Sequence, residues 1–384
     1  MASYILNFPR FRNFLALLAV CVFPVHAALP IAPAPEIEAR AWLLIDTTSG
    51  KTLAEKNPDS KVEPASLTKL MTAYLAFGAI KENRLDLKQT LPVSEKAWRA
   101  EGSRMFLDPK KPAIVEDLLK GVIVQSGNDA CIVLAEAIAG TEEAFAAMMN
   151  STAKQLGMTQ THFVNSTGLP HAQHLTTARD LSRLASALIR DFPEFYKIYS
   201  LKEFSYNGIT QPNRNRLLFI DPSVDGFKTG HTNSAGYCLI ASAKRENRRL
   251  LSVVLGAASD SARAMESQKL LNYGFQFFET VKLYPANQAI SMLRLYKGQT
   301  SEVKAGFPRD FYVTVPRGSG KRIQVRMITQ QPLLAPIKRG QKLGTLNLSI
   351  DGATIGDYPL QALENVEVAG ILGRGWDNIL LMFK

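Results

Sequence analysis

Residues 227–256 read FKTGHTNSAGYCLIASAKRENRRLLSVVLG, and this run decides the fold class. It divides into three strand-like pieces, 227–230, 237–243 and 248–256. The last two are joined by the polar turn Arg245-Glu246-Asn247. A helix is expected next, over 261–278. Upstream, residues 66–199 are helix-rich, with apolar residues recurring at the 3.6-residue period from Ser66, Val115, Asp129, Glu142 and Thr177. Before them, 40–46 reads as a strand, Thr48-Ser49-Gly50 as a turn, and a short second strand starts at Thr52. Strand, helices, strands, helix implies an α+β fold: one antiparallel sheet with helices packed on it.

The pattern changes at Tyr284-Pro285. From 285 to 368 the chain alternates with period two. Leu346, Leu348 and Ile350 point one way, Thr345, Asn347 and Ser349 the other, ending at the hairpin signal Asp351-Gly352. Residues 311–315 and 323–328 read similarly, so a small all-β sandwich is expected here. The first 27 residues read as an export signal. Arg10 and Arg12 precede an apolar core at 14–23, Pro24 breaks it, and Val25-His26-Ala27 suits cleavage. Residues 369–384 wind into an amphipathic helix. Ile371, Leu372, Gly375, Trp376, Ile379, Leu380, Met382 and Phe383 are expected over one half; Arg374, Asp377, Asn378 and Lys384 fall on the other, where only Leu381 intrudes. The expected plan is therefore 1–27 signal peptide, 28–284 α+β domain, 285–368 β domain and 369–384 membrane-surface helix.

Composition excludes several classes. Of the 384 residues 46% are apolar and 21% charged, which suits a packed chain and excludes a disordered one. Three Cys are too few for a disulfide scaffold. There is no C-x-x-C, no H-E-x-x-H and only five His, so neither a metal nor another cofactor is expected. The net charge of +11 suits anionic membrane or wall surfaces. Nucleic acid is not an expected partner, because the chain reads as exported and carries no Arg/aromatic nucleic-acid motif. Cys131 and Cys238 are expected to be unpaired.

Three short motifs carry chemistry. Ser66-Leu67-Thr68-Lys69 matches S-x-x-K, as do Ser151-Thr152-Ala153-Lys154 and Ser301-Glu302-Val303-Lys304. Context separates them: Ser66 follows Pro64-Ala65 and opens an apolar helix, where i,i+3 spacing puts hydroxyl and ammonium on one face. Alone, Ser66 reads more readily as a helix cap. Ser126-Gly127-Asn128 lies sixty positions on, between two apolar helices. There Gly permits a tight turn, and the bland reading is an interhelical loop. Lys228-Thr229-Gly230 sits on a strand that can pair with an extended peptide, or simply be an edge guarded by Lys. S-x-x-K, S-G-N and K-T-G in this order are far more specific together than singly. They come close to the S-x-x-K, S-D-N, K-T-G set of active-serine penicillin-recognising enzymes, with Gly127 in place of Asp.

The chain resembles the low-molecular-mass penicillin-binding proteins of the D-alanyl-D-alanine carboxypeptidase kind. The runs PASLTKLMTAY, SGNDAC, NRNRLL, VDGFKTGHT and NYGFQFFETV carry the resemblance, with the β-rich second domain and the apolar tail. It implies a β-lactamase/transpeptidase-like catalytic domain. It implies Ser66 as the acylated nucleophile, Lys69 as its base with Lys228 as the neighbouring cation, and Ser126 as proton relay. Asn128 would hold the substrate amide. Lys228, Thr229 and Gly230 would bind the terminal carboxylate with Arg214 in support, and His231 would lend its backbone N–H to an oxyanion hole. The implied partners are peptidoglycan pentapeptide stems, β-lactams as inhibitors and the membrane surface. The implied location is the periplasmic face of the inner membrane.

Three rivals stand beside this reading. A class A β-lactamase needs a deacylating Glu in a Glu-x-x-Leu-Asn string between the second and third motifs. No such string occurs there, and Glu194 sits in Pro193-Glu194-Phe195-Tyr196-Lys197 instead. A D,D-endopeptidase usually lacks the β domain and tail. A non-catalytic penicillin-binding wall protein would show a decayed site, and all the motif side chains are present.

Overall fold

The computed structural model describes residues 32–329, 331–370 and 377–378. The expected signal segment 1–27 lies outside them, and so does nearly all of the helix expected over 369–384.

The strand-like runs form one five-stranded sheet. We label its members β1 (Ala41–Asp46), β2 (Lys51–Lys56), β3 (Val224–Thr232), β4 (Gly236–Arg245) and β5 (Arg248–Ala257). Their order is β2-β1-β5-β4-β3, and every pair is antiparallel. The apolar run in β5 does not alternate because both faces of the sheet are covered. Leu251, Val253 and Leu255 join the larger core with Ala41, Leu43 and Ile240. Leu250 and Val254 join a second core with Trp42, Leu44, Leu239 and Ala241.

Helices supply both covers. The larger core receives α1 (Lys69–Lys81), α2 (Asn128–Ala139), α3 (Glu142–Gln155) and α4 (Ala178–Asp191). Thr141 and Thr177 cap the last two, accepting from the amides of Ala144 and Asp180. The second core receives α5 (Asp260–Phe277) through Leu270 and Leu271. Cys131 and Cys238 are both buried and free. No helix among the described residues is long and apolar enough to cross a membrane.

The second domain starts earlier than expected. Strand β6 (Phe278–Tyr284) leaves α5 directly and pairs antiparallel with β9 (Phe311–Pro316). The junction therefore falls at Phe277/Phe278, and Pro285 marks the turn from β6 into β7 (Ala289–Tyr296). A Pro turn inside a β domain and a domain boundary look alike in sequence. The other strands are β8 (Glu302–Gly306), β10 (Ile323–Thr329), β11 (Leu333–Leu334), β12 (Lys342–Ile350) and β13 (Ala353–Ala362). They form a six-stranded sheet in the order β10-β12-β13-β8-β7-β11. Leu346, Leu348 and Ile350 are buried, while Thr345, Asn347 and Ser349 are only half-buried. Asp351 and Gly352 both take positive φ, as a type I′ hairpin requires.

A buried carboxylate locks the two domains together. Asp46, at the end of β1, accepts from Arg248 Nε at 2.8 Å. It also accepts from the hydroxyls of Thr280 and Thr314 in the second domain. Arg248 in turn donates to the Phe278 carbonyl at 2.7 Å. The two charges thus pair where water is largely excluded, with Arg248 Nη2 buried and without a hydrogen-bond partner among the described residues.

Candidate active site

Ser66 sits in a 3₁₀ turn, Ala65–Thr68, immediately before α1. The sequence reading placed it on an α-helix or as its cap. The turn is tighter, and Ser66 makes no cap bond. Three residues per turn eclipse positions i and i+3, so Lys69 Nζ donates to Ser66 Oγ at 3.1 Å. Lys69 is 1% exposed, and Nζ also donates to the Thr167 carbonyl at 2.6 Å. Burial first, and then the Arg214 cation, push the Lys69 ammonium down to about 8. The expected neighbour, Lys228, couples the other way. It is held well below the ordinary lysine range by burial first, and then by Lys69, Arg214 and Arg263.

The second motif ends a π-helical turn, Gly121–Gln125. Ser126 is left-handed, with φ of 61°, a conformation that costs a non-glycine residue about 1–3 kcal/mol and clusters at functional sites. Its Oγ is buried and has no hydrogen-bond partner among the described residues. Gly127 suits this tight site, because a Cβ would stand 2.8 Å from Asp129 Oδ1 and 3.1 Å from the Met105 amide and would force them to shift. Asp129 uses its carboxylate to hold Met105 N at 3.0 Å and Leu107 N at 3.2 Å. That fixes the loop beside the motif. Asn128 is buried and donates to the Glu101 carbonyl at 2.6 Å in the same loop.

The third motif lies on β3, the edge of the sheet. Its open edge packs against the Ser66 turn. A Cβ on Gly230 would meet the Pro64 carbonyl at 3.1 Å and Ala65 Cβ at 3.3 Å, so glycine lets the two segments approach this closely without either giving way. Lys228 and Thr229 are buried, and Lys228 Nζ donates to the Thr229 carbonyl at 3.1 Å. Arg263 braces the strand from α5 by donating to the Gly230 carbonyl at 3.0 Å. His231 is exposed, with its ring against Tyr237. Arg214 is exposed and donates to Ser103 Oγ at 2.8 Å.

The other two S-x-x-K matches lie away from this cluster. Ser151 and Lys154 are exposed on α3, and Lys304 pairs with Glu364 in the second domain. Glu194 is exposed. Among the described residues no group of three His, Cys, Asp or Glu side chains is placed to hold a metal.

Sequence reasoning missed the loop 165–168, whose Thr167 carbonyl receives Lys69. It also missed His174, which is buried beneath the motif. His174 Nδ1 accepts from the Val164 amide at 3.3 Å, leaving the Nε2 proton for Thr68 Oγ1 at 2.8 Å. Burial first, then His162, His171 and Lys69, hold its imidazole down to about 4, so it is neutral. A carbonyl has no side-chain signature, and a lone His in a polar stretch has no pattern.

A hydroxyl, a buried lysine poised near neutrality, a second hydroxyl without a partner and a cationic edge strand can together perform acyl transfer. The comparisons agree with that chemistry. Residues 29–259 match the D-alanyl-D-alanine carboxypeptidase family, and residues 278–368 match the penicillin-binding protein 5 C-terminal domain. The chain is 46% identical over 378 residues to D-alanyl-D-alanine carboxypeptidase DacC of Escherichia coli, covering 96% of this chain and 94% of that one. Penicillin binding protein 5 from Haemophilus influenzae superposes with a TM-score of 0.84 at 41% identity, covering 88% of this chain and 99% of the other. Penicillin-binding protein D2 from Listeria monocytogenes, in its ampicillin-bound form, gives 0.59 at 33% identity, over 64% of this chain and all of that one.

Proposed function

The chain belongs to the D-alanyl-D-alanine carboxypeptidase family, and from that premise we propose that Ser66, Lys69 and Ser126 carry a two-step acyl transfer. Neutral Lys69 takes the Ser66 proton as Oγ attacks the penultimate D-Ala carbonyl of a pentapeptide stem. The oxyanion is met by the backbone N–H groups of Ser66 and His231; one such donor is worth about 3–4 kcal/mol of barrier. Ser126 passes a proton to the leaving D-Ala amine, and water then hydrolyses the ester. Lys228, Thr229 and Gly230, with Arg214, take the terminal carboxylate, and Asn128 takes the substrate amide. β-Lactams acylate the same Ser66 and leave slowly. The observation that carries this assignment is the Ser66–Lys69 pair, with its base buried and pushed down to about 8.

Incubating the protein with a synthetic pentapeptide ending in D-Ala-D-Ala is expected to release free D-Ala, with β-lactam turnover far slower. Rapid β-lactam hydrolysis without D-Ala release would make the protein a β-lactamase. Cleavage confined to cross-linked stems would make it a D,D-endopeptidase. Penicillin labelling with no turnover of either substrate would make it a non-catalytic wall protein.

The reading extends to location. The basic and apolar first 27 residues support export, and the tail supports peripheral attachment to the periplasmic face of the inner membrane. As a helix, the fifteen residues 370–384 would span about 22 Å, too short for a hydrocarbon core of roughly 30 Å, so the attachment proposed is in the interface plane. Deleting residues 370–384 is expected to move active, folded enzyme into the soluble periplasmic fraction. Continued sedimentation with membranes, or loss of folding, would remove the tail from this role.

A further inference from the structure

A carboxylate outside the three motifs is tied to Lys69 through the loop 165–168. Glu142 stands in the first turn of α3 and is 9% exposed. Its Oε1 accepts from the Ser166 amide at 3.0 Å and from the Ser166 hydroxyl at 2.7 Å. Its Oε2 pairs with Lys96 Nζ at 3.0 Å. On the other side of the loop, Thr72 Oγ1 donates to the Ser166 carbonyl at 2.6 Å. Ser166 is thus gripped from α3 and from α1, and the next carbonyl, of Thr167, receives Lys69 Nζ at 2.6 Å. Gly168 completes the wedge: a Cβ there would fall 1.8 Å from the Ala65 carbonyl oxygen.

We propose that Glu142 is a positioning residue for the acyl-transfer reaction, fixing the Thr167 carbonyl that orients Lys69. The inference rests on Lys69 being the base. A neutral lysine amine has two N–H groups and one lone pair. Committing one N–H to the Thr167 carbonyl limits rotation about Cε–Nζ and leaves the lone pair free to face Ser66 Oγ, 3.1 Å away. Without the Glu142 grip, the carbonyl shifts and the lone pair loses its direction. Glu142 touches no reacting atom, so its loss falls on the acylation step and spares the initial binding of ligand.

The test measures non-covalent binding and the limiting acylation rate separately, using a fluorescent penicillin. Glu142→Ala is expected to slow acylation about 10- to 100-fold with the dissociation constant unchanged, since misplacement by about 1 Å costs that order in rate. Glu142→Gln keeps an oxygen for both Ser166 donors and should stay within about threefold of wild type, whereas Ser166→Ala, which loses only the hydroxyl bond, should slow about threefold. A merely structural role would lower the labelled fraction and leave the rate constant intact. A wild-type rate in Glu142→Ala, or a Gln variant as slow as the Ala variant, would overturn the proposal. Should Glu142→Ala fail to fold, an unchanged rate in Ser166→Ala overturns it. Lys69→Ala keeps the two readings apart. If that variant acylates at the wild-type rate, the base assignment fails; if it is slow while Glu142→Ala is not, only the positioning role fails.

Discussion

Ser66→Ala is expected to abolish covalent labelling by a fluorescent penicillin and to stop D-Ala release, a loss on the order of 10⁶-fold. In the proposed mechanism the hydroxyl is the attacking atom, and Ala supplies no substitute. The fold should survive. Ser66 is half-buried, and its side chain bonds to Lys69 without capping a helix, so the stability change should stay within about 1 kcal/mol. Ser151→Ala and Ser301→Ala serve as controls, because both serines are exposed and belong to the unused matches. Loss of labelling in either control, with retention in Ser66→Ala, would remove Ser66 from the mechanism. Thermal melting of all three variants separates a chemical loss from an unfolded chain.

Lys69→Ala should slow acylation nearly as severely, by roughly 10⁴-fold or more, because a nucleophile and its base act as a unit and their losses do not add. As the proposed base, the same residue would set the pH dependence. Lysine acts as a base only when neutral. Its ammonium is pushed down to about 8, by burial first and then by Arg214. Acylation should therefore rise with pH through a midpoint near that value, well below the ordinary lysine range. Removing the cation in Arg214→Ala should move the midpoint upward, since the protonated form then meets less repulsion. Stopped-flow acylation across pH, for wild type, Lys69→Ala and Arg214→Ala, measures all three expectations. A flat wild-type profile, or a Lys69 variant at the wild-type rate, would mean that another group takes the Ser66 proton.

Much of the fold was legible because its signals are local. The strand runs and the polar turn at 245–247 became β3, β4 and β5, and Leu346, Leu348 and Ile350 turned inward as their alternation required. The second domain's start was misplaced for an equally local reason. Strand β6 follows α5 without a turn residue, so only its partner, 27 or more residues further along at Phe311–Pro316, identifies it as part of the β domain. The candidate site divides the same way. Ser66, Lys69, Ser126, Asn128, Lys228, Thr229 and Gly230 belong to short motifs whose order along the chain is itself information. Glu142, His174 and the Thr167 carbonyl belong to no motif.

By itself the sequence determined which side chains are candidates for the chemistry, the order of strands and helices, and which of three S-x-x-K matches opens an apolar helix after Pro64-Ala65. Tertiary structure alone decided that Ser66 and Lys69 meet across a 3₁₀ turn, that Gly230 lets β3 close on that turn, and that Asp46 joins the domains. It alone brought the Thr167 carbonyl, 98 residues from Lys69, to that amine. The reason is physical. Side-chain identity and periodicity are written locally. Backbone acceptors look the same at every residue, and burial, which sets the charge of Lys69, comes only from distant segments packing around it.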